Sequence, residues 1–325
     1  MPGEKLVIKL WETVAEKGIG GLFRPWQIRR EGRASIELKR EELLTIAQAE
    51  RDAELIRRGE QIPSFVLPQI SYNSNPSPVP SIEQRAAETT LSDTIRREAN
   101  VTRALLYAEQ VLETEEQAPP EEAVNDDWLF RWRDSASQVS SEELQNLWGR
   151  VLAGEVKSPG SYSLRTLEFI KNISKDEAEA IAKLSQFVIG GSTIYRGDNE
   201  DLDEFGINFN FLLNMQHLGV ISGVEALGMT TTWKSIESSK FTQSFTSNSM
   251  VLIVTADDPS HTISAPTYLL TAIGAQVLSL GTFETNLEYL KKVAEHFKKQ
   301  GVSVKLAKYI RVTPTTIKYF EAQEL

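Results

Sequence analysis

Three histidines, His217, His261 and His296, are the side chains best suited to acid–base or metal chemistry, and no cysteine accompanies them. Thiolate nucleophiles, disulfide staples, iron–sulfur ligation and thiolate zinc sites are therefore excluded. A zinc site wants two histidines one helical turn apart, whereas these three fall in separate predicted elements. Asp257-Asp258-Pro259 offers paired carboxylates for a cation but reads better as the turn after a strand. Gly190-Gly191-Ser192 would let a backbone approach a phosphate, yet it lacks the Lys and Ser/Thr of a phosphate loop. Arg150 and Arg165 flank the stretch from Gly149 to Gly160, where the amides of the next helix would favour an anion. The small residues there also let two helices meet closely, which is the stronger reading. No nucleophile with its base and no carboxylate pair in an apolar setting stands out. The chain is expected not to be an enzyme and to hold no cofactor and no metal.

Contact chemistry is concentrated near the start. Trp11, Phe23 and Trp26 stand beside Arg24, Arg29, Arg30 and Arg33. Residues 17 to 40 hold seven basic side chains against two acidic ones, inside a chain whose net charge is −10. Such a segment suits packing against protein, a second copy included, and that reading leads. An anionic membrane surface is the alternative, because tryptophan and arginine seat well in a headgroup layer. General nucleic-acid binding is disfavoured by the acidic balance.

These residues need elements to position them. With 325 residues and 41% hydrophobic side chains, the chain is long enough for two folded units. Leu6, Leu10, Trp11 and Val14 recur at helical spacing, and Gly18, Gly20 and Gly21 end that helix. Residues 28 to 58 predict a long helix with a thin apolar stripe, one that needs a partner. Prolines 63, 68, 76, 78 and 80 make 61–81 a linker. An acidic helix follows over 82–120. The stretch 121–200 is predicted to be a helical module: Ser140 with Glu143 and Ser174 with Glu177 are spaced as capping boxes, and Gly154 and Pro159-Gly160 stop the first helix. Over 201–325 the pattern predicts a helix from Leu212, strands at 251–255, 302–306, 309–313 and 316–320, and helices over 268–280 and from Leu287 to Phe297. The helix–strand–strand–helix order suggests a winged helix. Residues 206 to 276 carry only Lys234 and Lys240 as positive side chains, so DNA binding through it is the weakest reading. The fold class is mainly α with a small α+β part: N-terminal helices over 1–60, a central helical module and a winged-helix-like C-terminal region.

The motifs Trp132-Arg133-Asp134, Val139 to Gln145, Leu147 to Val156 and Pro159 to Leu167 resemble a bacterial domain of unknown function related to the Abi-alpha (abortive infection) proteins. Pro25 to Arg30, after its glycines, is similar to the start of such proteins. The resemblance implies a role in phage defence and carries no catalytic residues. The expected function is thus a non-enzymatic protein that self-associates or binds a protein partner. The opening residues Met1 to Lys17 are too charged for a signal peptide, and no apolar run is long enough to cross a bilayer. A cytoplasmic location is expected, with peripheral attachment to the inner membrane under the lipid-binding alternative.

Overall fold

The computed structural model describes residues 3–16, 82–197, 202–225, 229–312 and 316–325. The expected long helix over 28–58 and the linker lie outside the described residues. Two compact units divide the chain, Met1–Leu167 and Glu168–Leu325. Their boundary falls at 167/168.

The first unit is helical. Helix α1 (Glu4–Glu16) places Leu6, Leu10, Trp11 and Val14 on one buried face, as their spacing requires. Helix α2 (Ile82–Glu113) is the spine: α1, α3 (Asp126–Ser137) and α4 (Glu142–Lys157) all pack on it. The α2–α4 contact is the tightest, because Gly149 of α4 faces Tyr107 and Ala104 without a side chain between. Helix α3 is marked by local signals: Asn125 accepts the Trp128 amide as N-cap, two aspartates occupy the first turn, and Trp128, Leu129 and Trp132 are buried. The cap of α4 is Ser141, which accepts the Leu144 amide, one residue later than Ser140. Gly154 lies inside α4 rather than ending it, and a Cβ there would strike the Tyr162 ring.

Helix α5 (Leu164–Asn172) carries the chain into the second unit. Helix α6 (Lys175–Ser185) opens with the expected box, Ser174 and Glu177 each bonding the other's backbone amide. Strand β1 (Thr193–Tyr195), helix α7 (Phe209–His217), β2 (Ile221–Ser222), β3 (Met229–Lys234), β4 (Phe241–Ser247), β5 (Met250–Ala256) and β6 (Thr262–Leu270) follow. The chain ends with α8 (Ala272–Leu278), α9 (Leu287–Lys298), β7 (Ser303–Arg311) and β8 (Ile317–Glu324). One antiparallel sheet runs β1-β6-β2, with β3 also on β6; the other runs β4-β5-β7-β8. Their core joins Phe241, Phe245, Leu252 and Val254 to Leu290, Val293 and Phe297 of α9.

Two expectations change here. Tyr268, Leu269 and Leu270 end a strand instead of starting a helix; Thr271 then caps α8 by accepting the Gly274 amide at 3.0 Å. The mainly-α expectation holds in part: among the described residues helix outweighs strand, but two four-stranded antiparallel sheets lie in the second unit, so the architecture is mixed α+β.

Candidate functional site

Helix α1 is sealed into the first unit. Gly3 donates to the Glu113 carbonyl at 3.2 Å and sits so close to Leu112 that a Cβ would overlap its carbonyl oxygen. Lys9 reaches the Pro120 and Glu122 carbonyls. Trp11 is 5% exposed, and its indole N–H donates to Glu109 Oε1 at 3.3 Å. This corrects the expectation for Trp11: its ring is enclosed by the protein itself, so it offers no face to lipid or to a partner. Phe23, Arg24, Trp26, Arg29, Arg30 and Arg33 lie outside the described residues.

The loop between α4 and α5 is the expected anion position, and the anion there belongs to the protein. Glu155, buried on α4, accepts the Gly160 amide at 2.6 Å with one carboxylate oxygen and the Tyr162 amide at 3.0 Å with the other. The Ser161 amide bonds it as well. Burial raises the Glu155 pKa above the ordinary glutamate value, although these amides pull it down and only partly offset the desolvation. The Ser163 hydroxyl accepts the Thr166 amide at 3.2 Å, so it also serves the start of α5. Arg150 and Arg165 are both exposed, and Arg150 donates to Asn146 Oδ1 at 2.8 Å. The amides that the weaker, anion-binding reading pointed to are therefore taken up by an internal latch. The sequence signal for it was a lone Glu between Ala153 and Val156 on an apolar face, five residues before Gly160.

Further buried polar groups tie the helices together. Asn100 donates to the Ser137 carbonyl at 2.9 Å and accepts from Gln145 Nε2 at 3.1 Å. Gln145 also donates to the Val139 carbonyl at 3.2 Å. Two indoles bond backbone: Trp132 to the Trp148 carbonyl at 2.9 Å, and Trp128 to that of Tyr162 at 2.6 Å. Arg133 pairs with Glu98.

In the second unit the three histidines stay apart. His217 ends α7 and is exposed; His261 packs edge-on against Phe241; His296 lies 3.0 Å from the Ser264 carbonyl with its ring 4.8 Å from that of Tyr195. Among the described residues no group of three His, Asp or Glu is placed to hold a metal ion. Asp258 accepts from the Ser260 amide and hydroxyl, a turn that holds its carboxyl below the usual range. Gly190 and Gly191, both at positive φ, form a tight turn before β1, with the Gly190 amide donating to the Thr246 carbonyl at 2.8 Å.

Surface apolar groups are the remaining candidates. From Ile82 to Arg97 of α2, every described side chain is exposed, with Ile82 at 84%, Leu91 at 62% and Ile95 at 45%; burial begins beyond Glu98. At 1.5 Å per residue this half of the helix runs for about 24 Å. Leu91 and Ile95, one turn apart, share a face. Among the described residues no helix is long and apolar enough to cross a membrane.

A family described as "Protein of unknown function (DUF2806)" matches residues 84–294. No curated protein and no solved structure matches the chain.

Proposed function

The chain belongs to the DUF2806 family of unknown function, and from that premise we propose that it is a non-enzymatic interaction protein that associates with a second copy of itself. The exposed half of α2 carries this reading. An isolated helix of that length is marginal in water, because propagation barely outweighs the nucleation cost. A stripe such as Leu91 and Ile95 gains its stability from a surface that covers it. Measuring solution mass across a range of concentrations tests the reading. The unaltered protein is expected to exceed one chain, and Leu91→Glu with Ile95→Glu to lower the mass without lowering the melting temperature. A single chain throughout, or an oligomer indifferent to both changes, refutes it.

A winged-helix arrangement within 201–325 finds support in helix α7 followed by β2, which pairs with β6 after the intervening strands β3, β4 and β5. We read it as a packing module, because α7 presents Phe209, Asn210, Asn214 and His217 with no lysine or arginine. The resemblance of 147–156 and 159–167 to a domain of unknown function related to the abortive-infection proteins makes phage defence the proposed setting, and a cytoplasmic one. Survival of bacteria carrying or lacking the gene under phage challenge tests that part separately.

A further inference from the structure

Helix α2 turns one face to its own unit over its second half and the same face to solvent over its first. At about 3.6 residues per turn, Thr90 and Thr94 share a ridge with Val101, Leu105 and Leu112, and Leu91 and Ile95 share the next ridge with Glu98, Thr102 and Glu109. Beyond Glu98, which pairs with Arg133 of α3, this face is enclosed. Val101, Thr102, Leu105 and Leu112 are buried there, and so is Glu109, which accepts the Trp11 indole N–H of α1 at 3.3 Å. Before Glu98, Thr90, Leu91, Thr94 and Ile95 are exposed.

The bare stretch has the chemistry of a surface that can be covered. The Thr90 hydroxyl donates to the Ala86 carbonyl and the Thr94 hydroxyl to the Thr90 carbonyl, each at 2.8 Å, so a surface laid over them leaves no hydroxyl proton unpaired. Thr102, on the enclosed part of the same face, bonds the Glu98 carbonyl at 2.8 Å in the same way. Among the residues from Thr89 to Arg97, charge stays off this side. Asp93 and Arg96 fall on the opposite side, where they pair at 2.9 Å, and Arg97 lies at the margin. A two-fold contact lays a patch on its own copy, so charge near the axis meets its own sign. A face of Thr, Leu and Ile meets no such repulsion, which suits it to a second copy of this chain rather than to a charged partner.

Resting on the self-association proposed above, we infer that the second copy docks through its own matching face onto Thr90, Leu91, Thr94 and Ile95, in a dry contact that uses no ion pair and in which Thr90 and Thr94 are contact residues. Sedimentation equilibrium of the full chain at low and at high salt tests it, with Leu91→Glu plus Ile95→Glu as the control for the underlying reading. The dissociation constant of the pair should change less than about threefold with salt, because no ion pair is screened. Thr94→Glu places a charge in the contact and should raise that constant by about tenfold or more. Thr94→Val, which keeps the shape and drops a hydroxyl already spent on its own helix, should change it less than about threefold, and so should Arg96→Gln on the far side. Thr94 is exposed in the single chain, so the melting temperature of dilute protein should not fall; Thr90→Glu is the second variant if it does. A chain that stays single under every condition overturns the self-association and this inference with it. An oligomer that Leu91→Glu plus Ile95→Glu dissolves, but that salt or Arg96→Gln weakens by about tenfold or that Thr94→Glu leaves intact, overturns this inference alone.

Discussion

Glu155→Gln isolates the latch between α4 and α5. In the folded protein both carboxylate oxygens accept backbone amides, Gly160 at 2.6 Å and Tyr162 at 3.0 Å, with Ser161 as a third donor. A carboxamide keeps the shape but turns one acceptor into a donor, so one amide faces an N–H group instead of an oxygen. A buried donor left without its acceptor costs about 1–3 kcal/mol, and that is the loss expected at neutral pH. Glu155→Ala strips all three amides of their acceptor and adds a cavity, so it should cost more, roughly 3 kcal/mol or above. Tryptophan fluorescence during urea unfolding is the assay, because Trp11, Trp128, Trp132 and Trp148 all lie in the first unit.

The pH dependence gives the sharper test. Burial raises the folded pKa of Glu155, with the Glu122 charge adding to the rise, above the value it has in the unfolded chain. Between those two values the folded state binds more of the proton than the unfolded state, so this group's contribution to stability declines as pH rises. It is fully present below the unfolded pKa and is lost as pH climbs through the folded one. The stability difference between the unaltered protein and Glu155→Gln should therefore shrink as pH is raised through that window. A variant as stable as the parent, or a difference that grows with pH, refutes the reasoning.

Gly149→Ala should destabilise the first unit by about 1–2 kcal/mol in the same urea assay: overpacking costs about 1–3 kcal/mol, while the better helix propensity of alanine returns up to about 1. The added Cβ would lie 2.5 Å from Tyr107 Cβ and 2.8 Å from the Ala104 carbonyl oxygen, forcing α2 and α4 apart. Tyr289→Phe should lower the stability of the second unit by about 1–3 kcal/mol, read by the fluorescence of Trp233. The buried Tyr289 hydroxyl accepts the Tyr195 amide at 2.7 Å and donates to its carbonyl at 3.3 Å, and burial holds its ionisation above the ordinary tyrosine range, so this loss should not vary between pH 5 and about pH 9.

What could be read in the sequence was set by the range of the interaction. Ser174 with Glu177 is a bond between neighbours and is legible at once. Ser140 and Ser141 are adjacent candidates for one cap, and only the packing of Gln145 and Trp148 against α2 selects the second. At Tyr268 to Val277 an apolar run passes from strand to helix through the single residue Thr271, and periodicity cannot place that junction. Strands β3 and β4 are rich in Thr, Ser and Gln, and only Phe241, Phe245 and Trp233 mark their inner side. Near Arg150 and Arg165 the glycines and the following helix start point to free amides, but the sequence favours close helix packing there. Which anion those amides meet depended on the rotation of α4, a tertiary quantity.

That rotation also bears on what the first unit is built to do. A buried polar group can serve chemistry when one of its hydrogen-bonding positions faces a space that a reactant can enter. Asn100 spends both ends of its amide on Ser137 and Gln145, Gln145 spends its nitrogen on Asn100 and Val139, and Glu155 spends both oxygens on the following loop. Each bond joins one helix to the backbone or side chain of another segment, so sliding α4 by one turn along α2 would break several at once. Apolar packing of buried side chains such as Leu105, Trp148 and Leu152 tolerates such a slide far better, because dispersion is not directional. The polar groups therefore fix register, and they hold α2 at the position from which its first half, Ile82 to Arg97, projects with Leu91 and Ile95 uncovered. Under the proposed self-association, this firmly held helix, whose described side chains from Ile82 to Arg97 are exposed, supplies the contact surface.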